Sequence, residues 1–195
     1  MMLINSLGTK INNYIIPPFD LMEGDYLTIS VPYLFNSRVD KEFLDVITSS
    51  VSKKGNNLNI SDNIITVEDA IGAVSLWKKI FCNSTLRHHL KRKHNLNTIQ
   101  IEELLSKNNI DGNEKIFSIG ASDQKIISIQ IALLKNNHII IHTGGMDYNG
   151  IEKLYSILQN REQKQTIIEI RYPSTNDYLT FLNSNYIELS KTDFR

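Results

Sequence analysis

One stretch constrains the fold of this chain more than any other. It reads Lys135-Asn136-Asn137-His138-Ile139-Ile140-Ile141-His142-Thr143-Gly144-Gly145-Met146-Asp147. Before it, Ile129-Gln130-Ile131-Ala132-Leu133-Leu134 closes an amphipathic helix on Lys-Asn-Asn. A short apolar strand follows, then a Gly-Gly turn, then a second helix from about Tyr148. That order frames a buried strand of an α/β sheet. A mostly parallel α/β sheet is therefore expected.

The rest of the chain extends this pattern. Leu3 to Tyr14 and Asp25 to Val31 read as strands, joined through Pro17-Pro18 and a turn at Met22-Glu23-Gly24-Asp25. In the second, Tyr26, Thr28 and Ser30 alternate with Leu27, Ile29 and Val31. Phe43 to Ile47 reads as a short helix, and Ser49 to Asn63 as a polar loop. Thr66-Val67-Glu68-Asp69 looks like an N-cap, opening a helix with Ile71, Val74, Trp77, Ile80 and Phe81 on one face. Two more helices cover about Thr85 to His94 and Thr98 to Lys107, the latter with Ile99, Ile101, Leu104 and Leu105 apolar. Beyond Ala121 the spacing predicts a helix to Lys135 and the strand His138 to Ile141. A helix at about Gly150 to Leu158 and the strand Thr166 to Ile170 come next. A helix at Asp177 to Leu182 and the strand Tyr186 to Leu189 complete the chain. Strand-helix-strand spacing of this kind implies right-handed parallel crossovers. The expected organisation is one domain, 1–195, with a helical insertion over about 66–111 in an α/β core built from 1–65 and 112–195.

Composition excludes several classes. Lys plus Arg number 21 and Asp plus Glu number 21, so bulk charge selects no polyanionic partner. The single cysteine, Cys82, permits no internal disulfide and no cysteine zinc cage. It sits beside Ile80 and Phe81, as a buried structural thiol would. No stretch approaches the roughly 20 apolar residues of a membrane helix. A cytoplasmic protein with no direct membrane insertion is expected.

Seven fragments, in order, resemble the ATP-binding cassette (ABC) ATPase domain. Leu21-Met22-Glu23-Gly24-Asp25 with the strand Tyr26 to Val31 resembles the family's entry into the Walker A strand. Phe43 to Ile47 resembles the helix after the P-loop, and Thr66 to Ile71 the start of the helical subdomain. Ile101-Glu102-Glu103-Leu104-Leu105 followed by Asn109-Ile110-Asp111 is similar to that subdomain's last helix. Phe117 to Gln124 occupies the signature position, with Gly120, Ala121, Ser122, Asp123 and Gln124 as its loop. Thr143, Gly144, Gly145, Met146 and Asp147 resemble the D-loop. Thr166 to Tyr172 resembles the strand leading to the switch histidine, with Tyr172 at that position. The resemblance implies a P-loop-NTPase-like fold. It also implies surfaces that meet a membrane permease and a second ATPase copy.

The chemistry of that family has no residues here to carry it. A P-loop needs glycines whose N–H groups close around phosphate, a lysine and a hydroxyl for Mg²⁺. There is no glycine between Gly24 and Gly55, and no glycine in the chain precedes a lysine. Pro32 to Glu42 places bulky side chains where phosphates would sit, with Ser37 and Lys41 as stray matches. No carboxylate lies between Lys135 and Met146, so the Walker B acids that hold the metal and polarise water are missing. The Q-loop is deleted: the stretch before Thr66 is short and has no glutamine. The expectation is a pseudo-ATPase without catalytic residues. It would bind neither ATP nor Mg²⁺, and would act by contact with an ABC ATPase, a permease subunit or a second copy of itself, peripheral at the membrane through that partner.

Two other features carry alternatives. Arg87, Lys91, Arg92 and Lys93 form a basic cluster, with Lys78 and Lys79 upstream, which fits a solvated helix face, an acidic partner, an anionic membrane surface or nucleic acid phosphates. No aromatic residues interleave with these charges, which counts against base stacking. A nucleic-acid-binding or other adaptor module using 87–93 is the second reading. His88, His89 and His94 do not share a face at i, i+4, which argues against zinc. His142, at the end of the apolar strand, stands where ligands of α/β sheets bind, and supports a third reading as a small-molecule enzyme.

Overall fold

The computed structural model describes residues 1–11, 14–30, 58–60, 64–67, 84–171, 185–188 and 190–191. The chain divides into two compact units, 1–66 with 136–144 and 155–195, and 67–135 with 145–154.

The first unit is built on a five-stranded sheet. Its strands are β5 (Tyr26–Ser30), β7 (Ile65–Thr66), β8 (His138–His142), β9 (Thr166–Arg171) and β10 (Asn185–Glu188). They lie in the order β10-β5-β9-β8-β7, and every pairing is parallel. All residues of β5 and β9 are buried, and so is β8 up to His142. That is the signature of central strands covered on both faces, and it explains their near-continuous apolar runs. The same unit contains two smaller antiparallel sheets. β1 (Met2–Ser6) pairs with β4 (Phe19–Met22) and β6 (Leu58–Ile60), while β3 (Tyr14–Ile16) pairs with β2 (Thr9–Ile11) and β11 (Ser190–Lys191).

Three expectations change here. The strand read over Leu3 to Tyr14 is broken at Gly8, whose φ of 86° no strand accommodates, so β1 and β2 are separate. The loop read over Ser49 to Asn63 contains β6, which extends the β1 sheet. Thr66 is the last residue of β7, paired with Ile140, and the helix read as starting after it lies outside the described residues; Ile65 and Thr66 are both β-branched and suit an edge strand. The helices read at 43–47, 71–81 and 177–182, the segment 32–42, Cys82 and Tyr172 lie outside the described residues.

The turn entering β5 is fixed by one glycine. Gly24 has φ 91°, and a Cβ there would lie 2.2 Å from the Gln163 carbonyl oxygen. Its N–H donates to Thr166 Oγ1 at 2.7 Å and its carbonyl accepts from Arg161 Nη2 at 3.1 Å. These bonds lock the start of β5 to the start of β9.

The described part of the second unit is mainly helical: α1 (Leu86–His94), α2 (Thr98–Asn108), α3 (Ala121–Lys135) and the first turns of α4 (Tyr148–Gln159). Leu86, Leu90, Ile101, Leu105, Ile127 and Ile131 belong to its core. Asparagines punctuate it. Asn97 forms a capping box with Gln100, and Asn95 and Asn109 end α1 and α2 in the left-handed conformation at φ 54°. Ile99 does not join the buried stripe of α2 and is 71% exposed. Among the described residues, no helix is long and apolar enough to cross a membrane.

Candidate functional site

The signature-like and D-loop-like residues of the second unit meet directly. Gly120 precedes α3, and Ala121 to Gln124 form its first turn. Ser122 Oγ accepts from the Asp147 N–H at 3.1 Å, and Asp147 Oδ1 accepts from the Gly150 N–H at 2.7 Å, capping α4. Gly150 allows this approach, since a Cβ there would stand 2.5 Å from Ser122 Cβ. Asp123 Oδ1 receives Lys153 Nζ at 2.7 Å, and the same ammonium donates to the Asn108 carbonyl at 3.0 Å. Gln124 Nε2 donates to the carbonyls of Ile119 and Ile116 at 2.7 and 3.1 Å. These side chains thus bond within their own unit. Gly145 takes φ 78° with nothing within 4 Å of its virtual Cβ, so it is a turn residue in open space. Met146 is half-buried.

Thr143 belongs to the first unit and does something different. It is 5% exposed, and its Oγ1 donates to Glu169 Oε1 at 3.1 Å. Tyr155 Oη donates to the same oxygen at 2.8 Å. Tyr26 Oη and Thr28 Oγ1 donate to Oε2 at 2.9 and 3.3 Å. Glu169 lies in the middle of β9 and is 1% exposed. It faces β5 at Thr28 and β8 at Ile141. The result is a buried carboxylate with two hydroxyl donors on each oxygen, which is how a buried acid is accommodated. Burial pushes the Tyr26 phenol well up, and the neighbouring Glu169 and Tyr155 add to the effect, against Arg161. Tyr155 is raised by burial first and by Glu169 next, with Arg171 opposing. Both phenols are thereby kept as neutral donors. The guanidinium carbons of Arg161 and Arg171 lie 5.5 and 5.9 Å from the ring centres of Tyr26 and Tyr155.

Sequence reasoning did not single out this cluster. Its signal was one acid inside Thr166-Ile167-Ile168-Glu169-Ile170, opposite a strand that alternates Tyr26, Thr28 and Ser30.

The other candidates fall elsewhere. Arg87 forms an ion pair with Glu102, joining α1 to α2, while Lys91, Arg92 and Lys93 are exposed on the last turn of α1. The rings of His89 and His94 lie 5.4 Å apart. Burial lowers both; His94, with His89, Lys135 and Lys93 adding to the shift, falls to about 4. Among the described residues, no three His, Cys, Asp or Glu side chains come together to hold a metal. His142 ends β8 half-buried, opposite Ile170.

No protein-family model and no curated protein matches this sequence. Solved structures do. One, described as a metal-chelate type ABC transporter in an inward-facing conformation, matches with TM-score 0.65 at 16% identity, over 100% of this chain and 82% of that one. A protein described as the ATP-binding protein of an ABC transporter from Pyrococcus furiosus matches with TM-score 0.66 at 12% identity, over 96% of both chains. A nucleotide-free ATP-binding cassette from an ABC transporter matches with TM-score 0.59 at 10% identity, over 97% of this chain and 90% of that one. At these identities the likeness is one of fold: the chain has the α/β fold of the ABC ATPases, a mostly parallel sheet with an inserted helical subdomain.

Proposed function

We propose that this chain is a non-catalytic relative in shape of the ABC ATPases that works by protein–protein contact, its partner being an ABC ATPase, a permease subunit or a second copy of itself. The observation that carries this reading is the end of β8. An ABC-like sheet is present, yet its strand closes on Ile140-Ile141-His142, with no acid to hold a metal or orient water. The carboxylate of the central strand β9, Glu169, has both oxygens taken by hydroxyls and no exposed surface to offer a ligand. Such a protein sits on the cytoplasmic side and reaches a transporter through its partner.

Two measurements on the purified full chain test the proposal. Incubation with Mg-ATP is expected to give no turnover and no binding at micromolar nucleotide. Turnover abolished by substitutions across 143–147, or micromolar affinity for ATP, sinks it. Cross-linking in native lysate is expected to recover an ATPase or permease subunit, or a homodimer.

A further inference from the structure

We propose that the end of the helical unit where α1, α2 and α3 meet docks on an anionic lipid bilayer. This goes beyond the contact role above and does not depend on it. Lys91, Arg92 and Lys93 are exposed on the last turn of α1, and the sequence has no carboxylate from His88 to Ile101. Lys135, the last residue of α3, donates from Nζ to the His94 carbonyl at 2.6 Å. That bond brings a fourth cation to the end of α1.

Cations at a helix C-terminus have an ordinary explanation in the helix dipole. Two exposed aliphatic side chains, one in the first turn of α2 and one in the last turn of α3, have no such explanation. Ile99, in the first turn of α2, is 71% exposed, and Leu134, next to Lys135, is 49% exposed. The buried stripe of α2 runs through Ile101, Leu104 and Leu105, so the fold gains little from Ile99. Cations together with exposed aliphatic groups discriminate between polyanions. Single-stranded nucleic acid is held by cations and stacking aromatic rings, and the stretch from His88 to Ile101 contains no Phe, Tyr or Trp. A bilayer surface uses both kinds of group present here. Its anionic headgroups attract Lys and Arg, and its interfacial layer takes up aliphatic side chains.

Each basic residue near an anionic bilayer strengthens binding about fivefold. Neutralising three therefore weakens it about a hundredfold. The test is co-sedimentation of the full chain with vesicles of phosphatidylcholine alone or with phosphatidylglycerol added. Binding is expected only with phosphatidylglycerol, falling as salt rises. The triple variant Lys91→Gln, Arg92→Gln, Lys93→Gln is expected to lose it. Ile99→Ser is expected to weaken it several-fold with helical circular dichroism unchanged, and Lys164→Gln to leave it as it was. Failure to bind, equal binding to both vesicles, or binding that survives the triple substitution overturns the proposal. Salt-sensitive binding to duplex or single-stranded DNA without vesicle binding overturns it too, and assigns the patch to nucleic acid.

Discussion

Tyr155→Phe removes one of the four hydroxyls that hold Glu169, and its effect should depend on whether Glu169 is there. The Tyr155 hydroxyl donates to Oε1 at 2.8 Å, at a carboxylate 1% exposed. A hydrogen bond to a charged group contributes about 1.5–3 kcal/mol, so the single substitution should cost about that much. Glu169→Leu leaves four buried hydroxyls without their acceptor. At about 1–3 kcal/mol each, less whatever the hydroxyls recover by pairing among themselves, the loss is about 4–6 kcal/mol. In the Glu169→Leu background the phenol of Tyr155 has no acceptor to lose, so Tyr155→Phe should then cost nothing or stabilise slightly. The double-mutant cycle should give a coupling of about 1.5–3 kcal/mol. Urea unfolding followed by far-ultraviolet circular dichroism reads this as shifts in midpoint at constant m. A total stability of about 5–15 kcal/mol leaves the leucine variant measurable only if the wild type is not marginal. Glu169→Gln provides a second background, where the amide NH₂ faces hydroxyls that must turn to accept, and the coupling should fall by at least half. A cost below about 0.5 kcal/mol for Tyr155→Phe, or the same cost in all backgrounds, refutes the idea that these groups act as one network.

Three further outcomes follow from named groups. Tyr26 and Tyr155 are both raised above the ordinary phenol value of about 10, so above that pH the unfolded chain loses protons that the folded one keeps. Stability should hold below about pH 10 and then fall, by up to about 2.7 kcal/mol per pH unit for two phenols, and Tyr155→Phe should halve the slope in alkaline denaturation. His94 is lowered to about 4, so its contribution is full above about 6.5 and is lost as pH falls from there toward 4. His94→Asn should flatten that part of the thermal-stability profile. Gly24→Ala should destabilise by about 1–3 kcal/mol through its positive φ alone, with more from the 2.2 Å approach of its Cβ to the Gln163 carbonyl oxygen, read as a lowered urea midpoint.

The elements that the sequence makes legible are those with a strong single period. α3 begins and ends where its apolar face and the Lys-Asn-Asn stop place it, at Ala121 and Lys135. β8 and β9 are recognisable because strands buried on both faces must be apolar almost throughout. The short antiparallel strands are less legible. A strand of three residues, such as β2 or β6, has no period to detect, and its existence rests on a partner remote in sequence. The candidate site divides in the same way. The Ser122 to Asp147 contact joins two turns that the sequence marks as candidate loops. The Glu169 cluster gathers residues 26, 28, 143, 155 and 169, and no local rule links them. A lone acid in an apolar strand demands donors. Which hydroxyls supply them is decided by register and by the packing of α4.

The placement of Glu169 bears on what kind of protein this is. It pairs across the sheet with Ile141, the residue before the end of β8. The sheet is therefore not without a carboxylate; it has one a strand away, in mid-strand. A general base must come within hydrogen-bond reach of the proton that it takes from a ligand. Glu169 is closed in by Tyr26, Thr28, Thr143 and Tyr155, and both of its oxygens are already accepting. Its bonds run to β5, to the residue after β8 and to α4, so what it does is hold three elements to the middle of β9. A carboxylate committed in this way serves the cohesion of the sheet. Opening the cage with Thr143→Val should accordingly loosen the first unit without creating an ATPase.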